Sequence, residues 1–209
     1  MTLANRLHGL YVITDPVLCG DQLVEKVTAA IAGGAQIVQY RNKQASPKQQ
    51  RQEATALAEL CKQHTILFLI NDDAALARDV DADGVHLGQQ DTGLSHARAL
   101  LGANKIIGVS CNNRFDYALD AQDAGADYVA FGRFFPSQTK PQAPQADPSL
   151  LERARNELHI PVCAIGGINL ANATPLLAAG AQMLAMIHGI FAANDIKATT
   201  RRYADLFKI

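Results

Sequence analysis

The sequence predicts a single (β/α)8 TIM barrel over residues 1–209, with its active site at the C-terminal ends of the strands, and three observations predict it. Short apolar runs alternate with longer helical patterns from the start of the chain, and strict β-then-α alternation requires parallel strands joined by crossovers. A weak repeat, Ala32-Gly-Gly-Ala35, Ala124-Gly-Ala126 and Ala179-Gly-Ala181, ends a helix just before a strand each time. Glycine there suits a left-handed C-cap and lets the chain turn inward. Polar residues cluster just after the strands: Asp15, Arg41 and Lys43, Asn71 and Asp72, Gln89 and Asp91, Ser110, Thr139 and Lys140, Gly166 and Gly167, and His188. In a closed barrel such groups converge on one mouth, whereas an open sheet would spread them along an edge.

Each element follows from its residues. Strand one is expected over residues 10–14 and its helix over 21–32, strand two over 37–40 with a long helix over 47–63. Strand three takes 66–70 with a short helix at 73–79, where Asp73 has the residue type and place of an N-cap. Strand four takes 84–87, its helix 94–101; strand five 106–109, its helix 114–124; strand six 128–131. After a long Pro-rich loop, 132–148, a helix is expected over 148–157, then strand seven at 162–165 and its helix at 171–179. Strand eight at 183–187 and a last helix over 195–207 complete the count. A loop of that length in a compact barrel is more often functional than idle.

Composition agrees and excludes several classes. Of 209 residues 48% are apolar, 6% are aromatic and none is Trp, so the core must be built from Val, Ile, Leu and Ala, as stacked parallel strands require. A net charge of -1 argues against a nucleic-acid surface, and anions would have to be met by local cations. Cys19, Cys61, Cys111 and Cys163 lie far apart without a C-x-x-C pair, which is neither a zinc signature nor a disulfide framework. Residues 1–9 hold no apolar run, and no segment has membrane-spanning length, so a cytoplasmic protein with no membrane or nucleic-acid partner is expected. The residues do not decide between a monomer and a homo-oligomer.

The groups able to do chemistry fall on two sides. Gln39, Arg41 and Lys43 leave strand two with the same parity, towards the axis or mouth. Inward cations are costly unless an anion or a salt-bridge network meets them, and Arg suits the paired oxygens of a phosphate. Asp72 and Asp91 follow adjacent strands; they either pair with those cations or hold Mg²⁺, which needs few protein carboxylates. The anion site next door favours magnesium with a pyrophosphate. His86, on strand four, reads as a core histidine. On the far side, the glycines after strand seven and Ile187-His188-Gly189 after strand eight suit a phosphate monoester, with a tight turn as the alternative. The loop Gly132-Arg-Phe-Phe-Pro-Ser-Gln-Thr-Lys140 offers two hydroxyls and an ammonium between the two sides, as a lid would; a solvated loop is the plain alternative.

Taken together, Tyr11-Val-Ile-Thr-Asp15, Gln39-Tyr-Arg-Asn-Lys43, Asn71-Asp72, Val85-His-Leu-Gly-Gln-Gln-Asp91, Gly108-Val-Ser110, Ser137-Gln-Thr-Lys140 and Ile165-Gly-Gly-Ile168 resemble the thiamine phosphate synthase family. They occur in order from about residue 10 to 191. The resemblance implies a Mg²⁺-dependent transferase that joins a pyrimidine methyl diphosphate to a thiazole ethyl phosphate, carboxylated or not, giving thiamine phosphate and pyrophosphate. It implies a dissociative path through a pyrimidine methylene cation. Residue by residue, it implies that Gln39, Tyr40, Arg41, Asn42, Lys43, Asn71, Ser110 and Lys140 hold the pyrimidine diphosphate. Of these, Arg41, Lys43, Ser110 and Lys140 would serve catalysis. Asp72 and Asp91 would bind the metal, and Ser137, Gln138, Thr139, Gly167, Ile187 and His188 the thiazole phosphate. Three positions depart from the common family pattern: Arg133 stands where Pro is usual, Ser137 where Thr is usual and His188 where Ser is usual. Two other readings compete. A thiazole tautomerase relative would not need Asp72, Asp91, Arg41 and Lys43, and a non-catalytic phosphate sensor would not keep the acid pair and Lys140.

Overall fold

Eight parallel strands close on themselves in chain order, β1 (Gly9–Ile13), β2 (Ile37–Tyr40), β3 (Leu67–Asn71), β4 (Gly84–Leu87), β5 (Ile106–Asn112), β6 (Tyr128–Phe131), β7 (Val162–Ile165) and β8 (Met183–Met186). Closure is explicit in the pairing of β1 with both β2 and β8. The computed structural model describes residues 6–91, 93–137 and 142–208. Among the described residues no helix is long and apolar enough to cross a membrane.

The strands read as continuous apolar runs because both faces are covered. Leu10 and Val12 point outward into the layer under the helices, while Tyr11 and Ile13 point to the axis. The axial cluster continues through Ile37, Leu67, Leu69, Ile106, Tyr128, Ala130, Cys163, Met183 and Ala185, so the barrel is filled with side chains. Tyr128 fits only because Gly108 opposite it has no Cβ; one built there would lie 2.1 Å from the ring.

The main helices are α2 (Leu23–Gly33), α3 (Pro47–Gln63), α4 (Ala74–Asp79), α5 (Leu94–Leu101), α6 (Phe115–Asp123), α7 (Ser149–Glu157), α8 (Ala173–Ala179) and α10 (Ile196–Ala204). Their starts are chemically marked. Ser46 accepts from the Gln49 N–H ahead of Pro47, Asp73 from Leu76, and Asp195 from Ala198. The glycines of the repeat take positive φ, +109° at Gly34, +88° at Gly125 and +120° at Gly180. The last helix closes against the first layer: Arg201 Nη2 donates to the Ala32 carbonyl at 3.1 Å.

Three elements differ from the expected ones. The first helical segment begins earlier and is broken: α1 (Pro16–Cys19), then a 3-10 turn at Gly20–Gln22, then α2. Asp15 is spent capping α1, accepting from Val17 and Leu18 at 3.0 and 3.1 Å. β5 runs on to Asn112 through a register shift against β6, and a short α9 (His188–Phe191) follows β8 directly. Both changes lie at the C-terminal mouth, where bulges and short helices re-aim side chains.

Candidate active site

The C-terminal ends of the strands surround a cavity of about 300 Å³. The β2–β5 side contributes Gln39, Arg41, Asn71, His86, Ser110 and Asn112, and the β6–β8 side Ser137, Gly166, Gly167, Ile187 and His188. Alternation explains which residues arrive. Gln39 and Arg41 share one parity, and Ser110 and Asn112 share another, with Cys111 between them buried in the outer layer. Arg41 is pinned by its backbone: its N–H donates to Thr14 Oγ1 at 2.8 Å, and that hydroxyl donates to the Arg41 carbonyl at 3.2 Å.

Tyr40 and Asn42 depart from the expected placement. Their parity carries them to the helix side, where Tyr40 Oη and Asn42 Nδ2 donate to Glu53 Oε2 at 2.7 and 3.0 Å. They line a separate cleft of about 590 Å³ bounded by the β1 and β2 ends and α3; Arg41 borders both spaces. Neither side chain lines the cavity at the mouth. Strand pleating forces this: one residue of every adjacent pair must face away from the axis.

Lys43 and the two acids form the rim. Lys43 Nζ lies 2.7 Å from Asp72 Oδ2 in a solvent-exposed pair, so this lysine has an acid partner rather than an inward position. The Asp72 and Asp91 carboxyls are hydrogen-bonded to each other. Burial and this contact with Asp72 raise the Asp91 carboxyl above the ordinary range, although the Gly88 N–H donates to it at 2.6 Å. Burial also opposes ionisation of Asp72, but hydrogen bonds from Asp91 and Lys43 overcome it and hold Asp72 below that range. Two neighbouring carboxyls, only Asp72 of them paired with the Lys43 ammonium, are a site with surplus negative charge if both ionise. A hard divalent cation relieves that repulsion, so this donor set fits Mg²⁺. Among the described residues no group of three or more His, Cys, Asp or Glu is arranged to hold a metal ion.

On the β6–β8 side the glycines admit protein as well as facing the cavity. A Cβ at Gly167, whose φ is +65°, would lie 2.4 Å from the Pro136 carbonyl oxygen. The strand-seven loop therefore receives the segment that follows β6: Phe134 and Phe135 N–H groups donate to Ile165 and Gly166 carbonyls at 3.2 and 3.1 Å. Arg133, at the position of a usual Pro, lines the cavity and its Nε donates to the Ala143 carbonyl at 3.0 Å. Gln138, Thr139 and Lys140 lie outside the described residues.

The family model for thiamine monophosphate synthase matches residues 10–190. The chain belongs to this family. A thiamine-phosphate synthase of Thioalkalivibrio sulfidiphilus is 50% identical over 98% of this chain and 98% of its own. One of Alcanivorax borkumensis is 50% identical over 98% and 96% respectively. Among solved structures, the thiamine phosphate pyrophosphorylase of Pyrococcus furiosus superposes with a TM-score of 0.89 at 35% identity, covering 99% of this chain and 98% of that one.

Within the family frame, sequence reasoning set aside one residue that the cavity includes. His86 reads as core, and it is on the axis, yet it lines the cavity and its Nε2 meets Ser110 Oγ at 2.8 Å. Its parity was legible, because Val85 and Leu87 on either side are outward-facing core residues. Asn112 was missed because strand five was expected to end at residue 109, whereas β5 runs on to Asn112.

Proposed function

We propose that this chain, a thiamine phosphate synthase by family, joins the pyrimidine and thiazole halves inside the cavity at the barrel mouth, with the diphosphate held at the β2–β4 rim. The observation that carries this reading is the single cavity shared by two residue sets: Gln39, Arg41, Asn71 and Ser110 for one substrate, Ser137, Gly167, Ile187 and His188 for the other. Two substrates bound in one enclosed space react as if at very high concentration.

The reaction is a transfer of a pyrimidinylmethyl group. The C–O bond to diphosphate breaks, the resulting methylene cation is held against the thiazole nitrogen, and a C–N bond forms there. No strong base is required; the leaving diphosphate must be stabilised and water kept out. Asp72 and Asp91 would hold Mg²⁺, which supplies charge neutralisation on the leaving group. Arg41 binds phosphate oxygens from the cavity wall, Lys43 adds charge from the rim, and Lys140 has the same task by its match to the family's motif. Ser110 and Asn71 orient the pyrimidine diphosphate, and Gln39 contacts it from the barrel floor. The backbone N–H groups at Gly167 and His188 meet the thiazole phosphate, as does the Ser137 hydroxyl. The His188 N–H does not depend on residue type, so His in place of the usual Ser keeps this contact. The protein acts on these small molecules in the cytoplasm, consistent with four buried, unpaired thiols.

The test is pyrophosphate release from purified protein given both substrates, with Mg²⁺ and then with a chelator. Release that needs both substrates and the metal, with thiamine phosphate formed in equal amount, is the expected result. Absence of release while the thiazole phosphate still binds would favour the tautomerase or sensor readings. Lys140→Ala is expected to cost about 3–4 kcal/mol of barrier and to lower kcat more than it weakens substrate binding.

A further inference from the structure

A chain of hydrogen bonds crosses the barrel interior beneath the cavity floor. Gln39 Nε2 donates to Tyr11 Oη at 2.5 Å, and Tyr11 Oη meets Tyr128 Oη at 3.0 Å. Tyr128 Oη meets His86 Nδ1 at 2.8 Å, and His86 Nε2 meets Ser110 Oγ at 2.8 Å. Tyr11 is 1% exposed, Tyr128 0% and Gln39 2%, so water does not interrupt this path. The chain begins and ends at residues that face the cavity, Gln39 on β2 and Ser110 on β5. A filled barrel has no structural need for two phenols on its axis. Room for Tyr128 comes at the expense of any side chain at Gly108.

We propose that Tyr11, Tyr128 and His86 are positioning residues that make the Ser110 hydroxyl a hydrogen-bond donor to the substrate. Polarity runs in one direction. The Gln39 amide nitrogen can only donate, so Tyr11 accepts there and passes its own hydrogen to Tyr128. Tyr128 passes its hydrogen to His86 Nδ1. His86 therefore carries its proton on Nε2 and gives that N–H to Ser110 Oγ. The serine oxygen accepts on its barrel side and its own hydrogen points into the cavity. Burial holds both phenols far above their ordinary ionisation range, so each keeps the hydrogen the chain needs. Without this arrangement a serine hydroxyl rotates freely between donating and accepting. With it, the group meeting an anionic substrate is preorganised, and no reorganisation accompanies bond breaking. The inference rests on the placement of Ser110 against the pyrimidine diphosphate.

The experiment is a double-mutant cycle on the Mg²⁺-loaded enzyme with both substrates, using Tyr128→Phe, Ser110→Ala and the double variant. Tyr128→Phe is expected to lower kcat about tenfold, the size of one lost hydrogen bond, with a smaller change in KM. In the Ser110→Ala background the same change should cost almost nothing, since the chain then has no terminal hydroxyl to orient. Equal losses in both backgrounds would assign Tyr128 a packing role and overturn the proposal. Ser110→Ala with wild-type kinetics would remove the serine from the site, and the proposal with it. A Ser110→Ala defect beside an unaffected Tyr128→Phe would overturn the relay alone. Should Tyr128→Phe fail to fold, His86→Leu and His86→Gln decide. Glutamine can place an N–H where Nε2 stands, so it should recover most of what leucine loses; equal defects would overturn the proposal. The ¹⁵N shifts of His86 should report the Nε2–H tautomer in the wild type and a mixed population in Tyr128→Phe.

Discussion

Adjacent aspartates with different duties show how much a single position decides. Asp73 caps α4, with its carboxylate accepting from the Leu76 N–H at 2.8 Å. Asp72 beside it turns to the rim and meets Lys43 and Asp91. Asp73→Ala should therefore lower stability by about 1 kcal/mol and leave the Mg²⁺ dependence of turnover unchanged. Asp72→Asn or Asp91→Asn should do the reverse, raising the Mg²⁺ concentration for half-activation by at least about tenfold with little change in thermal midpoint. Magnesium titrations and melting curves on the same preparations check both halves. Wild-type metal dependence in both rim variants would remove the metal role of the acid pair. The cap was legible in the sequence, because Asp before a helical pattern has one common use. The duty of Lys43 was only half legible: its charge was plain, but its pairing with Asp72 depends on the distance between β2 and β3 ends.

Among the elements, the β6–α7 connection and the strand-seven turn are built as one unit. The described ends of this connection are held by the Phe134 and Phe135 N–H bonds to β7 and its turn, and by the Ala146 N–H bond to the Arg133 carbonyl at 2.8 Å. Gly132, Gly166 and Gly167 all lack room for a Cβ in this packing, and Gly167 meets the Pro136 carbonyl. Gly167→Ala should cost at least about 1–2 kcal/mol from the left-handed backbone alone, before the clash with Pro136 is counted. It should also raise KM for the thiazole phosphate while leaving KM for the pyrimidine diphosphate near the wild-type value. Urea unfolding and steady-state kinetics with each substrate varied would check it; equal effects on both KM values would show a general distortion instead. The alternation of residue parity along β2 belongs to the same scale. It brings Gln39 and Arg41 to the cavity and carries Tyr40 and Asn42 to Glu53.

For the whole molecule, burial of ionisable groups in a filled barrel sets an alkaline limit. Burial first, and then the charge of Asp83 or Asp116 respectively, pushes the Cys61 and Cys111 thiols up to about 12 from an ordinary 9.0. Burial raises Cys163, Tyr11 and Tyr128 in the same direction. Between the unfolded and folded values the native state binds more protons than the unfolded chain, so stability falls as pH rises. The contribution is complete below pH 9.0 and is lost towards about 12. Urea midpoints should accordingly drop between about pH 8 and about pH 10.5, with no matching drop between about pH 6 and about pH 8. A flat profile across the alkaline range would contradict the burial. Native protein should also resist thiol alkylation at neutral pH, and all four cysteines should react once it is unfolded.

The sequence by itself determined the order of strands and helices, the parallel barrel, the Asp73 cap and the glycine turns of the repeat, and the family through motifs spread along most of the chain. Those follow from local rules: period, turn chemistry and short patterns each act within a few residues. Tertiary structure alone decided that β5 runs on far enough to carry Asn112 to the cavity beside Ser110, and that Tyr40 and Asn42 face Glu53. It also decided that Tyr11, Tyr128 and His86, the last a core histidine by pattern, join into one hydrogen-bonded path from Gln39 to Ser110. The reason is distance along the chain. Tyr11 and Tyr128 stand 117 residues apart, and only barrel closure and the register between strands place their hydroxyls in contact.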